Sequence, residues 1–383
     1  MLIYLGLSAV TVFFAAFALL HFGEPSFLAA AHLVFAVGIL PLIFGAITHF
    51  VPVLTRSGPA HRYVLLAPLL LQLAGLSVFL YFYGMAGSWA LHAAAACALL
   101  LAIGFAGWLV LRALRTLGKP HPGWRWYLAA IACLLASLLL VPVMALWPGA
   151  HHELRLLHLH LNTLGFIGLT AIGTLQVLLP TVLSGPDAEA AARLRRDLPF
   201  AVGGVLAVAL GSALWLPLAL VGAASLLMVV TRMGASWWRR YGLRKIAGDG
   251  ASAALAAALS GFLLLILLGV GHAFRVLGGQ DAVPAFVVAF LLPLVTGALS
   301  QLLPVWCHPG RRTEARERMR GALVSGGVLR SFLFLAGGLV LAAGKNEGVW
   351  LAAAGMFLFL FGVVRAFFFG AKILGKNANK TVG

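Results

Sequence analysis

Among the side chains able to bind a metal or move a proton, histidine stands out in this 383-residue chain: there are 12, against 10 Asp and Glu together and 3 Cys. Neutral imidazole is the commonest metal ligand and an axial ligand of heme iron. Its chemistry here depends on which histidines can meet. Cys97, Cys133 and Cys307 lie far apart in apolar surroundings and form no CxxC pair, so neither a disulfide framework nor a zinc site is indicated, and they read as core residues. Proton relays in membranes commonly use carboxylates. Near one face these are few: Glu24, Glu153, Asp281 and Glu347.

The elements that position the histidines follow from composition. The chain is 62% hydrophobic and 10% charged, with a mean hydropathy of +1.03. A soluble domain is roughly half apolar and a quarter charged, so this is an integral membrane protein, and a multidomain soluble enzyme is excluded. A spanning helix needs about 20 apolar residues. The hydropathy predicts twelve spans, near 2–20, 28–54, 63–83, 88–111, 126–147, 157–183, 198–214, 217–234, 251–273, 283–306, 324–343 and 348–370. The expected fold is all-α, a single transmembrane domain over 1–383. The run from Leu2 to Leu20 lacks a basic start and a small-residue cleavage site, and is taken as the first span.

The net charge of +17 reads as topology, not as nucleic-acid binding. The even-numbered connections, their flanking turns and the C-terminus carry 24 of the 27 Lys and Arg, while the odd connections hold only Arg155, Arg275 and Lys345. By the positive-inside rule both termini are expected in the cytoplasm, in a cell inner membrane. Trp89, Trp126, Trp147 and Trp350 fall at the expected interfaces, as an aromatic belt would place them.

Three segments share a pattern: GAITHFVP from Gly45, GTLQVLLP from Gly173 and GALSQLLP from Gly297. They end spans 2, 6 and 10, which predicts a pseudo-repeat of four helices over about 1–120, 121–247 and 248–383. Membrane repeats commonly surround a functional axis. The register sets His32 opposite His160, each thirteen residues before its Gly, with Pro284 in the third copy.

With this topology eight histidines lie toward the outer face: His21, His32, His92, His151, His152, His158, His160 and His272. His32 and His160 form the best ligand pair, being equivalent in two repeats and about four residues, or roughly 6 Å, inside the boundary. His158 precedes His160 by two residues and points about 200° away, so the two cannot address one metal from a regular helix. His92 and His272 are further metal-ligand candidates. His49, about 25 Å along the helix from His32, is a separate one. Thr48, Asn162, Thr163, Thr170, Gln176, Thr296, Ser300 and Gln301 are expected to face the interior.

The stretch AHLVFAVGILPLIFGAITHFVPVLTRSG, with His32, Gly45 and Pro52, resembles the helix of heme-copper oxidase subunit I that ligates the low-spin heme, and is still more similar to the NnrS family of heme-and-copper membrane proteins. The resemblance extends to twelve helices in three arcs of four. It implies heme b, with copper as a second cofactor, and a role in the response to nitric oxide or respiratory stress. The lipid bilayer and a redox partner or diatomic gas ligand would be its partners. His32, His160 and His158 would bind the cofactor, and His49, His92 and His272 a metal. The departures are as informative. LPFAVGGVLAVALGSALWL and VPAFVVAFLLPLVTGALSQLLPVW, the seventh and tenth spans, contain no His, so an oxygen-reducing binuclear centre is not expected. The competing expectation is a multi-pass transporter or export factor for a metal, heme or small solute.

Overall fold

The computed structural model describes residues 1–22, 26–276 and 282–378. Glu24 and Asp281, two of the outer carboxylates named above, lie outside the described residues. Among those described there are helices and no strands, and twelve helices are long and apolar enough to cross a membrane: Leu2–His21, Phe27–Leu54, Arg62–Phe82, Ser88–Leu114, Gly123–Leu146, Pro148–Leu183, Ala190–Leu214, Leu216–Tyr241, Gly250–Ala273, Ala282–Cys307, Glu314–Ala342 and Gly348–Phe368. The chain is an all-α, multi-pass membrane protein. Helices satisfy their own backbone groups, which hydrocarbon cannot do for them. Large apolar side chains such as Leu73, Leu100, Phe361 and Phe368 remain exposed for contact with lipid.

Two compact units can be distinguished: one comprises Met1–Val177 and Asp187–Val230, the other Leu178–Pro186 and Thr231–Gly383. In the first unit, the connection between the seventh and eighth spans is a single extended residue, Trp215 (φ −161°, ψ 103°). So tight a hairpin needs backbones to touch. Gly211 supplies the room, since a Cβ there would collide with the backbone of Ala219.

The Gly of each repeated segment has a packing role, set against the span that precedes its own. A Cβ on Gly45 would meet Leu5 Cδ1 at 2.6 Å, one on Gly173 would meet Trp126 Cβ at 2.7 Å, and one on Gly297 would meet Ala254 Cβ at 3.0 Å. Small residues let membrane helices approach closely. The same three spans each leave the α-helical pattern for a wider π-helical stretch, at Leu33–Ile39, Leu161–Gly168 and Phe286–Leu291. Measured from Gly45, Gly173 and Gly297, these begin twelve, twelve and eleven residues upstream. One sequence register thus carries both a close packing and a change of helix type.

Three expectations need correction. Trp126 is not a belt residue: it is fully buried, and its Nε1 donates to the carbonyl of Leu194 at 3.0 Å. It packs where Gly173 makes space for an indole, whereas Trp89, Trp147 and Trp350 are exposed. Cys97 is also exposed, while Cys133 is buried and Cys307 half-buried. A small polarizable thiol is tolerated on an apolar surface as well as in a core. Arg330, counted above with the basic face, is wholly buried. Its guanidinium donates to the Leu323 carbonyl at 3.4 Å and Ser300 Oγ at 3.3 Å and lies over the Phe359 ring at 4.9 Å. Of the polar residues expected inside, Thr48, Thr163, Thr170, Gln176, Thr296 and Ser300 are buried, and Asn162 and Gln301 half-buried.

Candidate functional site

The site is built in the first unit, where the second and sixth spans change helix type directly after a histidine. His32 precedes the π stretch Leu33–Ile39, and His160 precedes Leu161–Gly168. A π stretch displaces the local hydrogen-bond ladder and is frequent at functional positions. Side chains also bond to carbonyls in or beside these stretches. Gln72 of the third span donates to the Val37 carbonyl at 3.2 Å, and Asn162 Nδ2 donates to the His158 carbonyl at 2.8 Å.

The imidazole of His32 has its Nδ1 2.8 Å from the Leu28 carbonyl, one turn back on its own helix. One face of the ring stacks on Phe82 of the third span, with centroids 4.3 Å apart and planes 18° apart. His158 is held across a helix interface, its Nδ1 2.9 Å from the Ser137 carbonyl of the fifth span. Ser137 Oγ donates to Asn162 Oδ1 at 3.1 Å, so the residue that meets the His158 ring is itself bonded to the one that meets the His158 carbonyl. His32 and His158 are both half-buried.

A carbonyl can only accept, so each Nδ1 facing one carries the proton. The lone pair is then on Nε2. This is the arrangement in which metal-ligating histidines are commonly held, with one nitrogen tethered and the other presented. Fixing the ring also removes part of the rotamer entropy that ligation would otherwise cost. Two such imidazoles supply two strong nitrogen donors in a largely apolar setting.

The other candidates are placed differently. His160 has its Nδ1 2.8 Å from the Leu156 carbonyl and 3.1 Å from Ser212 Oγ, at the end of the seventh span. His92 is exposed, with Nδ1 2.8 Å from Ser88 O on its own helix. His49 sits edge-on to Phe50, with ring centroids 5.3 Å apart. His272 is exposed and belongs to the second unit. Among the described residues no three His, Cys, Asp or Glu side chains gather as a metal-binding group.

The structure therefore seats His158 on the Ser137 carbonyl of the fifth span and sets His160 beside Ser212 of the seventh. Sequence register singled out His160 because it is the repeat counterpart of His32. The register does not show which span each of two residues two apart meets: His158 is tethered to the Ser137 carbonyl of the fifth span and His160 lies beside Ser212 of the seventh. Ser137 and Phe82 carried no sequence signal beyond their positions in apolar spans.

What fold and site together define is a polytopic membrane protein with a braced pair of imidazoles near the ends of two spans. No known protein family matches the chain, and no curated protein does so either.

Proposed function

We propose that the chain is a heme-binding membrane protein, of the heme-copper and NnrS-like type its second span resembles, in which the imidazoles of His32 and His158 would hold the group. The observation that supports this most is that both rings, besides having Nδ1 on a carbonyl and Nε2 presented, are held by a neighbouring span, His32 by its stack on Phe82 and His158 by the Ser137 carbonyl. Two protein ligands are short of the three or four usual for a bare zinc or copper ion. They suffice for an iron whose porphyrin provides the remaining nitrogens. Copper as a second cofactor has less support, because the described residues assemble no three-donor group.

Bound there, such a group would supply one-electron exchange with a redox partner. The chain's own contribution is positioning. Phe82 covers one face of the His32 ring and holds its plane, and Ser137 holds His158. His32 is tethered within its own helix, whereas His158 is held across a helix interface.

The test is an absorbance spectrum and heme assay on the purified full-length protein, expressed with adequate heme supply. A Soret band with about one heme per chain supports the reading. Protein free of heme under those conditions, and not acquiring a Soret band on adding hemin, refutes it.

A further inference from the structure

The second unit contains a cavity of about 430 Å³, lined by Lys245, Asp249, Gln301, Arg312, Glu317 and Arg320 among others. That volume is in the range of small-molecule sites. Its cations come from three segments: Lys245 from the short helix Leu243–Ala247, Arg312 from the connection after the tenth span, and Arg320 from the eleventh.

The carboxylates are largely committed elsewhere. Asp249 Oδ1 caps the ninth span by accepting from the N–H groups of Ala251 and Ser252 at 2.9 and 3.1 Å. Its Oδ2 accepts from Arg320 Nη2 at 2.6 Å, while Arg320 Nε donates to Gln301 Oε1 at 2.9 Å. Arg320 is thereby fixed on two sides, and its Nη1 is not used by these bonds. Glu317 meets Arg312 at 3.5 Å, with the two side chains 50% and 82% exposed, a pairing that water screens and that holds neither firmly. Lys245 Nζ donates to Ser184 Oγ at 2.8 Å and has no carboxylate within ion-pair distance among the described residues. The lining holds three cations against two anions, with one cation fixed, one neutral-bonded and one loosely paired.

We propose that this cavity binds a phosphate-bearing anion, with Arg320 as the fixed anchor and Lys245 and Arg312 closing on it. A guanidinium held in plane and a mobile ammonium are the donors that phosphate oxygens take best. The phosphate belongs either to a soluble ester or to the headgroup of an acidic phospholipid. This site is independent of the heme reading and stands or falls alone.

The experiment uses the purified full-length protein. Glycerol 3-phosphate is titrated calorimetrically in neutral detergent, and phosphatidic acid is offered in phosphatidylcholine nanodiscs and counted by native mass spectrometry. Lys245→Ala and Arg312→Ala are the variants, since neither residue caps a helix. Saturable binding of either probe, about tenfold weaker in each variant, is the expected result, and the probe that binds names the source. No saturable binding of either probe, or variants that bind as well as the parent, overturns the proposal.

Discussion

Replacing Gly173 with Ala adds one methyl carbon to the sixth span at a known place. It would stand 2.7 Å from Trp126 Cβ, 3.0 Å from Cγ and 3.4 Å from Cδ2. Trp126 has nowhere to go, being fully buried with its Nε1 bonded to the Leu194 carbonyl at 3.0 Å. Overpacking of this kind costs about 1–3 kcal/mol, and a strained indole bond adds up to about 1 kcal/mol. Against this, Ala is favoured over Gly in a helix by about 0.5–1 kcal/mol. The variant should be destabilised by roughly 0–3.5 kcal/mol on those terms, with the centre of that range near 2. Two controls isolate the cause. Gly104→Ala, where a Cβ meets nothing within 4 Å, should be neutral or stabilising. Gly45→Ala, where the obstacle is the tip of Leu5, should cost less than Gly173→Ala because a leucine end can turn aside. Unfolding midpoints of the three variants in one detergent give the ranking. If Gly173→Ala is as stable as Gly104→Ala, the close packing attributed to the repeated glycine is wrong.

Two further predictions concern charged groups. Burial, and then the nearby Arg195 charge, hold His121 below the ordinary imidazole pKa, and its neutral Nδ1 accepts from the Gly123 N–H at 3.3 Å. The unfolded chain therefore takes up this proton at higher pH than the folded one, so stability is lost as pH falls from about 6.5 toward the lowered folded value. His121→Gln should flatten that part of a stability-versus-pH curve, and an unchanged slope would count against the assignment. Arg330 is buried with long hydrogen bonds, an unpartnered Nε and no carboxylate at ion-pair distance among the described residues. Replacing a poorly compensated buried charge by an apolar side chain is often neutral or stabilising, so Arg330→Met should unfold no earlier than the parent in detergent. A large loss of stability would show that the guanidinium is better compensated than its contacts suggest.

The helix count was legible because a span is a property of about 20 consecutive residues. Its ends were less so. The sixth span starts at Pro148 and the eleventh at Glu314, earlier than hydropathy places them, because polar helical turns such as His151–His160 and Glu314–Val324 extend the apolar segments. The Gly-to-Pro register was visible in sequence, but not the π stretches that share it, since no residue type encodes a displaced hydrogen-bond ladder. Trp126 was misplaced for a related reason: a tryptophan near a span end reads as interfacial unless one knows that Gly173 faces it. The tether on His158 was unreadable because Ser137 lies on another helix, 21 residues earlier. The second unit's cavity was unreadable because Lys245, Arg312 and Arg320 look like ordinary basic-loop residues until Asp249 and Gln301 fix one of them in place.

The most direct measurement on the central claim is the low-spin heme signal of four single variants, His32→Ala, His158→Ala, His160→Ala and His61→Ala, read by absorbance and electron paramagnetic resonance beside the parent. The account predicts that His32→Ala and His158→Ala each lose the low-spin signal or the heme itself, while His160→Ala and His61→Ala keep both. A signal that survives in His158→Ala and disappears in His160→Ala would contradict it, and one that survives in all four would place any cofactor away from this pair of spans.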